Sequence, residues 1–276
     1  MSMRKMHPAT VAGIVMIGAI AFCIVFADMI APNDPLLIDM DARFLRPSAE
    51  YPLGTDGFGR CVFSRLVFGS RYSLGIAVAI IFVVMALLVP LASAAAYSGG
   101  LADRLFLWTC DVSMALPPIA FVLAIVGVLG DGIPNLVVAG VISYWGWYGR
   151  MIRSYARTEA AKAYVIYARM GGASFLGIIG KHILPNIASQ LIVLMAIGVG
   201  DVVLMVSSFS FLGVGLNADA PEWGAMLNDA RSLLVTSPEF ALYPGLCVLF
   251  AISAFNLLGE GLRKQLSPYG RGSSHE

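Results

Sequence analysis

Charged residues are scarce in this chain. Only 13% of its 276 residues are Asp, Glu, Lys or Arg, whereas roughly 25% is usual for a soluble globular domain. The 18 basic residues nearly balance the 17 acidic ones, and hydrophobic residues make up 58% of the chain. This composition excludes a soluble enzyme, a nucleic-acid-binding protein and a disordered chain, because none of these buries so much apolar surface. The sequence indicates a polytopic membrane protein.

Catalytic and metal-binding motifs are also lacking. The four cysteines include no C-x-x-C pair, and the three histidines lie outside the apolar runs, so neither residue type indicates a metal site. Gly180 and Lys181 are followed by His182 instead of the Ser or Thr of a phosphate-binding loop, and no H-E-x-x-H or G-x-S-x-G motif occurs. We therefore expect a chain that is not an enzyme, binds no cofactor, metal or nucleic acid, and depends on a partner for energy.

Six apolar segments are long enough to cross a membrane, which takes about 20 residues in a helix. They are residues 11–30, 74–96, 114–130, 133–148, 187–209 and 240–258. Only Asp131 and Gly132 separate the third segment from the fourth, which predicts a tight helical hairpin. Pro90 and the Pro117–Pro118 pair are expected to kink their helices. The sequence thus predicts an all-α protein with six transmembrane helices.

The distribution of basic residues predicts the orientation of these helices. If the N-terminus is cytoplasmic, the cytoplasmic segments carry 12 of the 18 Lys and Arg residues, in agreement with the positive-inside rule. We therefore expect both termini in the cytoplasm. The aromatic residues in 144–148 are expected at the inner membrane interface.

The long outer loop, residues 31–73, contains a second pattern. Arg60, Arg65 and Arg71 alternate with apolar residues over 59–72, which predicts an amphipathic helix lying on the outer leaflet. We accordingly divide the chain into an N-terminal region (1–72), a five-helix core (73–266) and a flexible tail (267–276).

The inner loop, residues 149–186, carries six basic residues and one acid, Glu159. We expect a helix over 158–170, a turn at 171–172, where two glycines supply backbone freedom, and a second helix over 175–181 that ends before Pro185. Ser174 is the expected N-cap of that second helix. The loop would be either a rigid projection with an apolar side or a basic segment resting on anionic lipid, and the residues alone favour neither.

Several ordered motifs resemble one membrane protein family. Residues 164–174, YVIYARMGGAS, followed by HILPN at 182–186, resemble the EAA loop of ABC importer permeases. Residues 53–60 (LGTDGFGR), 210–215 (SFLGVG) and 221–228 (PEWGAMLN) resemble the C-type permease of the dipeptide, oligopeptide and nickel branch. The resemblance covers about residues 50–266 and implies a type I ABC importer permease fold.

The resemblance also implies partners and a docking site. In that family the EAA loop is a coupling helix that docks into a groove on a cytoplasmic ATPase. The implied docking residues are Tyr164, Val165, Tyr167, Ala168, Arg169, Gly172, Ala173, Ser174 and Pro185. Ile166 stands where the family has Glu, so a charge contact from that Glu does not carry over, and replacement by Glu159 has no support in the sequence. The implied partners are two ATPases that bind ATP and Mg, a second homologous permease and an extracytoplasmic binding protein, assembled in the lipid of a prokaryotic inner membrane.

The substrate pathway is less clearly marked. Asp201 is the only acid well within an apolar run, and an ionisable residue there is a functional candidate. We therefore assign Asp201 and Met205 to the translocation pathway, with the alternative that Asp201 is an acid near the outer interface, hydrogen-bonded to a neighbouring helix. Residues 144–148 and 228–231 resemble the nickel permeases, which favours nickel, carried as a chelate, over a short peptide. An ion-gradient-driven transporter is disfavoured, because the two halves of the chain show no repeat.

Overall fold

The computed structural model describes residues 6–215 and 220–266, and this part of the chain contains helices and no β-strand. The predicted tail, 267–276, lies outside it, and the division into regions remains a prediction. The helices are α1 (Pro8–Val25), α2 (Ala27–Ile30), α3 (Val62–Ser98), α4 (Gly100–Met114), α5 (Pro118–Leu129), α6 (Ile133–Ala160), α7 (Ala163–Met170), α8 (Phe175–Ile178), α9 (Leu184–Phe211), α10 (Trp223–Asp229) and α11 (Glu239–Leu266). A π-helical segment, Ile179–Ile183, joins α8 to α9.

The all-α membrane fold is confirmed, but the count of six spans is not. Four helical stretches in the described residues are long and apolar enough to cross a membrane: α1, α3, Phe175–Phe211 and α11. Helices α4 and α5 together would make a fifth, although they are bent by 83° at their junction. Helix α6, which contains the predicted fourth span, is not among them. The chain is therefore a multi-pass membrane protein with four or five clear spans.

Helix α3 organises the bundle. Its 37 residues give a length of about 55 Å at 1.5 Å per residue, and Pro90 lies within it without ending it. It packs against α6 and α9, while α11 packs against α9 and α1, and α4 and α5 pack against α6. The apolar residues buried between these helices form one continuous core.

The prediction of a separate amphipathic helix over 59–72 is wrong. Residues 62–72 are the first turns of α3, and Arg65 is only 1% exposed. Its Nη1 atom lies 2.7 Å from Asp56 Oδ2 and 3.0 Å from Asp229 Oδ2, and Arg60 contacts the same two carboxylate oxygens at 2.8 Å each. The basic residues that suggested a lipid-facing surface are therefore the buried half of an ion-pair cluster joining the long loop, α3 and α10.

The segment before α10 is also buried, with Glu222 fully so. The Glu222 carboxylate accepts hydrogen bonds from Ser73 on α3 (2.9 Å) and Ser207 on α9 (3.3 Å), and it caps α10 by accepting from the Ala225 N–H at 2.9 Å. Trp223 Nε1 donates to the Leu66 carbonyl at 3.0 Å. These bonds fix α10 between α3 and α9.

The boundaries around the predicted hairpin differ in two respects. Helices α5 and α6 form the expected hairpin, with glycines at positive φ at positions 130 and 132. The Pro117–Pro118 pair does not kink a helix but separates α4 from α5, since Pro118 is the first residue of α5. Helix α6 continues past residue 148 to Ala160, and this extension carries Arg153 to a two-point ion pair with Asp103 of α4.

Helix α1 contacts α11 through a glycine, and this contact generates a stability prediction. A Cβ atom on Gly13 would lie 2.5 Å from the backbone nitrogen of Leu258, whereas a Cβ on Gly18, one and a half turns further along α1, would meet nothing within 4 Å. Gly13→Ala should therefore destabilise the purified protein by about 1–3 kcal/mol, the usual cost of overpacking. Gly18→Ala is the matched control and should change stability by less than about 0.5 kcal/mol. Thermal unfolding in detergent measures both, and equal midpoints for the two variants would contradict this packing.

Candidate functional site

The loop between α6 and α9, residues 161–183 (the α7–α8 loop), folds into two short helices joined by a glycine turn. The predicted helix over 158–170 is divided, because α6 ends at Ala160 and α7 begins at Ala163. Gly172 has φ of +83°, and the N–H groups of Gly172 and Ala173 donate to the carbonyls of Arg169 and Ala168, both at 3.1 Å. This pattern is the Schellman motif, which needs a left-handed residue at the position of Gly172.

The second half of the loop is partly as predicted. Ser174 is the N-cap of α8, and its hydroxyl accepts a hydrogen bond from the Gly177 N–H at 3.2 Å. The helix does not end before Pro185, however. It passes through the π-helical segment into α9, where Pro185 occupies the first turn and its missing N–H is tolerated.

A small apolar core holds the α7–α8 loop on the bundle. Val165, Ile178 and Ile183 are buried against residues of α3 and α6, and this cluster is distinct from the main core. Val165 was predicted to be part of the docking face, but it is 1% exposed and therefore anchors the loop instead. The reason is geometric, since a short helix lying on a bundle must bury one side.

The opposite side of the loop is apolar and exposed. The exposed fractions are 70% for Tyr167, 78% for Met170 and 77% for Leu176. The remaining predicted docking residues Arg169, Gly172, Ala173, Ser174 and Pro185 are also exposed, and Ala168 is half-buried. Sequence reasoning missed Leu176, which lies two residues after the N-cap Ser174. The loop thus presents an apolar patch with one basic residue.

Glu159, the single acid of this region, is buried at the base of the loop. One carboxylate oxygen accepts a hydrogen bond from the Tyr164 hydroxyl at 2.5 Å, and the other pairs with Lys162 Nζ at 2.8 Å. The Tyr164 hydroxyl also lies 3.1 Å from the carbonyl oxygen of His182. Burial, together with this carboxylate, raises the pKa of Tyr164 to about 12, so the phenol keeps its proton at neutral pH. Tyr164, predicted as a docking residue, therefore also joins α6 to the π-helical segment.

The second predicted site lies on α9, where Asp201 is exposed on the surface of this chain. Asp201 and Met205, four residues apart on one face, both line a cavity of about 680 Å³ between α4, α5, α6 and α9. Asp201 forms no hydrogen bond or ion pair with any residue that the structure describes, which disfavours the alternative of a bond to a neighbouring helix. The other lining residues are Ser113, Met114, Leu116, Pro118, Ile119, Ser143, Tyr144, Trp147, Leu204, Ser208 and Phe209.

Tyr148 does not fit the prediction that the aromatic residues of 144–148 lie at the inner membrane interface. Tyr148 is fully buried, not interfacial, and its ring contacts those of Tyr144 (centroids 5.6 Å apart) and Trp147 (4.9 Å) in edge-on arrangements. Its hydroxyl reaches the backbone of α9 at Gly198, where a side chain would collide with it. Tyr148 therefore supports the two aromatic residues that line the cavity.

Metal-ligating residues are not gathered in this cavity. Across residues 6–215 and 220–266 no group of three or more His, Cys, Asp or Glu side chains could hold a metal ion. The cavity can instead offer one carboxylate, two thioethers, three hydroxyl-bearing serines and aromatic rings to a solute.

Comparisons with known proteins agree with this architecture. The family model described as "Binding-protein-dependent transport system inner membrane component" matches residues 88–269. The nickel transport system permease protein NikC of Escherichia coli (strain K12) is 37% identical over 238 residues, which are 86% of each chain. The glutathione transport system permease protein GsiD of Pectobacterium atrosepticum is 37% identical over 267 residues, 96% of this chain and 88% of the relative. The chain therefore belongs to the binding-protein-dependent inner membrane transport components, as an ABC importer permease of the dipeptide and nickel branch.

Proposed function

We propose that this chain forms half of the translocation pathway of an ATP-driven importer and that the α7–α8 loop docks on a cytoplasmic ATPase. The observation that carries the proposal is the exposed apolar patch of Tyr167, Met170 and Leu176 on a loop fixed to the bundle by its own core. Exposed apolar side chains gathered on a rigid support are typical of a protein interface. A second permease, two ATPases that bind ATP and Mg, and an extracytoplasmic binding protein complete the proposed complex, with both termini of this chain in the cytoplasm of a prokaryotic cell.

The contacts around Glu159 support a mechanical role for the loop. ATP binding would move the docked loop, and the movement would reach the spans because α7 is joined to α6 and to the segment leading into α9. Such a transition is a rigid-body displacement of packed helices. Glu159 does not take the place of the missing family Glu at position 166 as a contact for the ATPase, since it is 5% exposed.

The cavity beside Asp201 is the proposed pathway segment of this subunit. Its volume of about 680 Å³ falls within the range of roughly 300–1,000 Å³ typical of small-molecule sites. The names of the relatives point to two substrates, nickel and glutathione. We accordingly propose a small solute, either a nickel chelate or a short peptide, delivered by the binding protein.

The glycine turn provides a test of docking. Gly172→Val forces a β-branched residue into the left-handed region, which is strongly disfavoured, and should distort the patch without disturbing the spans. We expect ATP-driven uptake into proteoliposomes containing the whole complex to fall at least about 10-fold, with ATP hydrolysis retained. Gly180→Val is the matched control, because a Cβ meets nothing within 4 Å at either position and only Gly172 has a positive φ. Uptake by Gly172→Val at the level of the control would contradict the docking assignment.

The Glu159–Tyr164 hydrogen bond provides a test of coupling. A hydrogen bond to a charged group contributes about 1.5–3 kcal/mol, so both Glu159→Ala and Tyr164→Phe should loosen the loop and lower the amount of solute moved per ATP by about 2- to 5-fold. The double variant should move as much solute per ATP as the more impaired single variant, because both substitutions remove the same hydrogen bond. Additive losses measured as uptake divided by ATP hydrolysis would show that the two residues act separately.

A further inference from the structure

The cavity beside Asp201 carries a single charge, and this limits the solutes that it suits. We infer that it is an ammonium-binding site: the permease selects solutes that carry a protonated amino group, which Asp201 pairs with as they pass. The inference rests on the proposed function, in that the cavity is taken as part of the pathway, and it narrows the substrate class.

The depth of Asp201 in the membrane is the first argument. Asp201 lies ten residues before the end of α9 at Phe211, which is about 15 Å along a helix and about half of a hydrocarbon layer roughly 30 Å thick. A carboxylate at that depth is costly unless it faces a partner or an aqueous pathway. No Lys, Arg or His is among the described residues that line the cavity. The described lining residues therefore supply no positive charge to pair with Asp201.

The serine hydroxyls provide the second argument. Ser143 donates its proton to the Ala139 carbonyl at 2.8 Å, and Ser208 donates to the Leu204 carbonyl at 2.7 Å. A hydroxyl has one proton and two lone pairs, so both serines retain only acceptor capacity toward the cavity. An ammonium group has three donors and no acceptor. It matches one carboxylate flanked by acceptors.

The aromatic wall provides the third argument. Tyr144 and Trp147 line the same cavity, and buried Tyr148 holds both rings in place. A cation near the face of a Tyr or Trp ring gains about 0.5–2 kcal/mol, depending on how far it is desolvated. Because these rings are already held in place, binding a cation costs less side-chain conformational entropy.

The same residues are poorly suited to a bare metal ion. Nickel binds well to imidazole nitrogen in a defined coordination geometry, yet no histidine is among the described residues that line the cavity. Besides Asp201, these residues offer only the hydroxyls of the serines and Tyr144 and the thioethers of two methionines as ligands. A nickel ion would therefore pass only inside a chelate that carries its own ligands. The site distinguishes solutes by their ammonium group and not by a metal.

Two peptides that differ in one charge test the inference. Dissociation constants of Ala-Ala and N-acetyl-Ala-Ala are measured on the purified complex of both permeases and both ATPases, with nickel chloride as a third probe. We expect Ala-Ala to bind the wild-type complex at least about 10-fold more tightly than the acetylated peptide, since a charge-assisted bond is worth that much. Asp201→Asn should reduce the ratio to less than about 2-fold. Asp41→Asn is the control, because Asp41 is exposed outside the cavity and its carboxylate has no described partner.

Four results would overturn the inference. They are equal binding of the two peptides, no measurable binding of either, a ratio of their dissociation constants that Asp201→Asn leaves unchanged, and tight binding of nickel chloride that Asp201→Asn abolishes. If a basic residue of the second permease pairs with Asp201, the variant would lower the thermal stability of the complex and leave the ratio unchanged. The peptide-binding experiment and the docking proposal can fail independently. The docking proposal is tested by ATP-driven uptake of the Gly172→Val variant, which does not depend on the charge of the solute.

Discussion

The free energy of taking a charge out of water governs where this protein places its ionic side chains. The cost is several kcal/mol for an isolated ion and is offset only by opposite charge and hydrogen bonds. At one end of α3, buried Arg65 shares the carboxylates of Asp56 and Asp229. Elsewhere in the bundle, Arg153 of α6 forms a two-point pair with Asp103 of α4. These pairs join the long loop and α10 to α3, and α4 to α6.

Asp201 differs from these paired charges. It lies within a span, it lines a cavity, and it has neither an ion-pair nor a hydrogen-bond partner among the described residues. An unpaired carboxylate within a span is costly if its role is only structural. In the proposed pathway, the solute would supply the partner. The same electrostatic constraint that pairs the buried arginines thus singles out Asp201 as the residue of the proposed pathway.

The α7–α8 loop combines a fixed base with an exposed surface. Its apolar core includes Ala96 at the end of α3, Ala156 of α6 and Ile187 of α9, so α7 cannot move without displacing these helices. Well-packed interfaces of this kind transmit displacement because they are not continuously deformable. The exposed side of the loop remains free to contact a partner. The proposed docking surface and the buried anchor therefore lie on opposite faces of the same short helix.

Much of this could be predicted from the sequence, because the signals involved are local. The apolar runs indicated a multi-pass helical protein, the glycine pair 171–172 indicated a turn, and Ser174 indicated a helix N-cap. Each depends on the conformational preference of one residue or on the composition of one segment. Such preferences act in whatever tertiary context the segment occupies.

Other features could not be read from local patterns, because they depend on residues far apart in the chain. Arg65 was misplaced at a lipid surface, since its partner Asp229 lies 164 positions away. Val165 was misplaced on the docking face, since the alternation of apolar residues in a short helix does not say which side meets the bundle. The surroundings of Asp201 come from four helices. Burial and pairing are properties of the assembled bundle, where the free energy of desolvation selects which side chains meet.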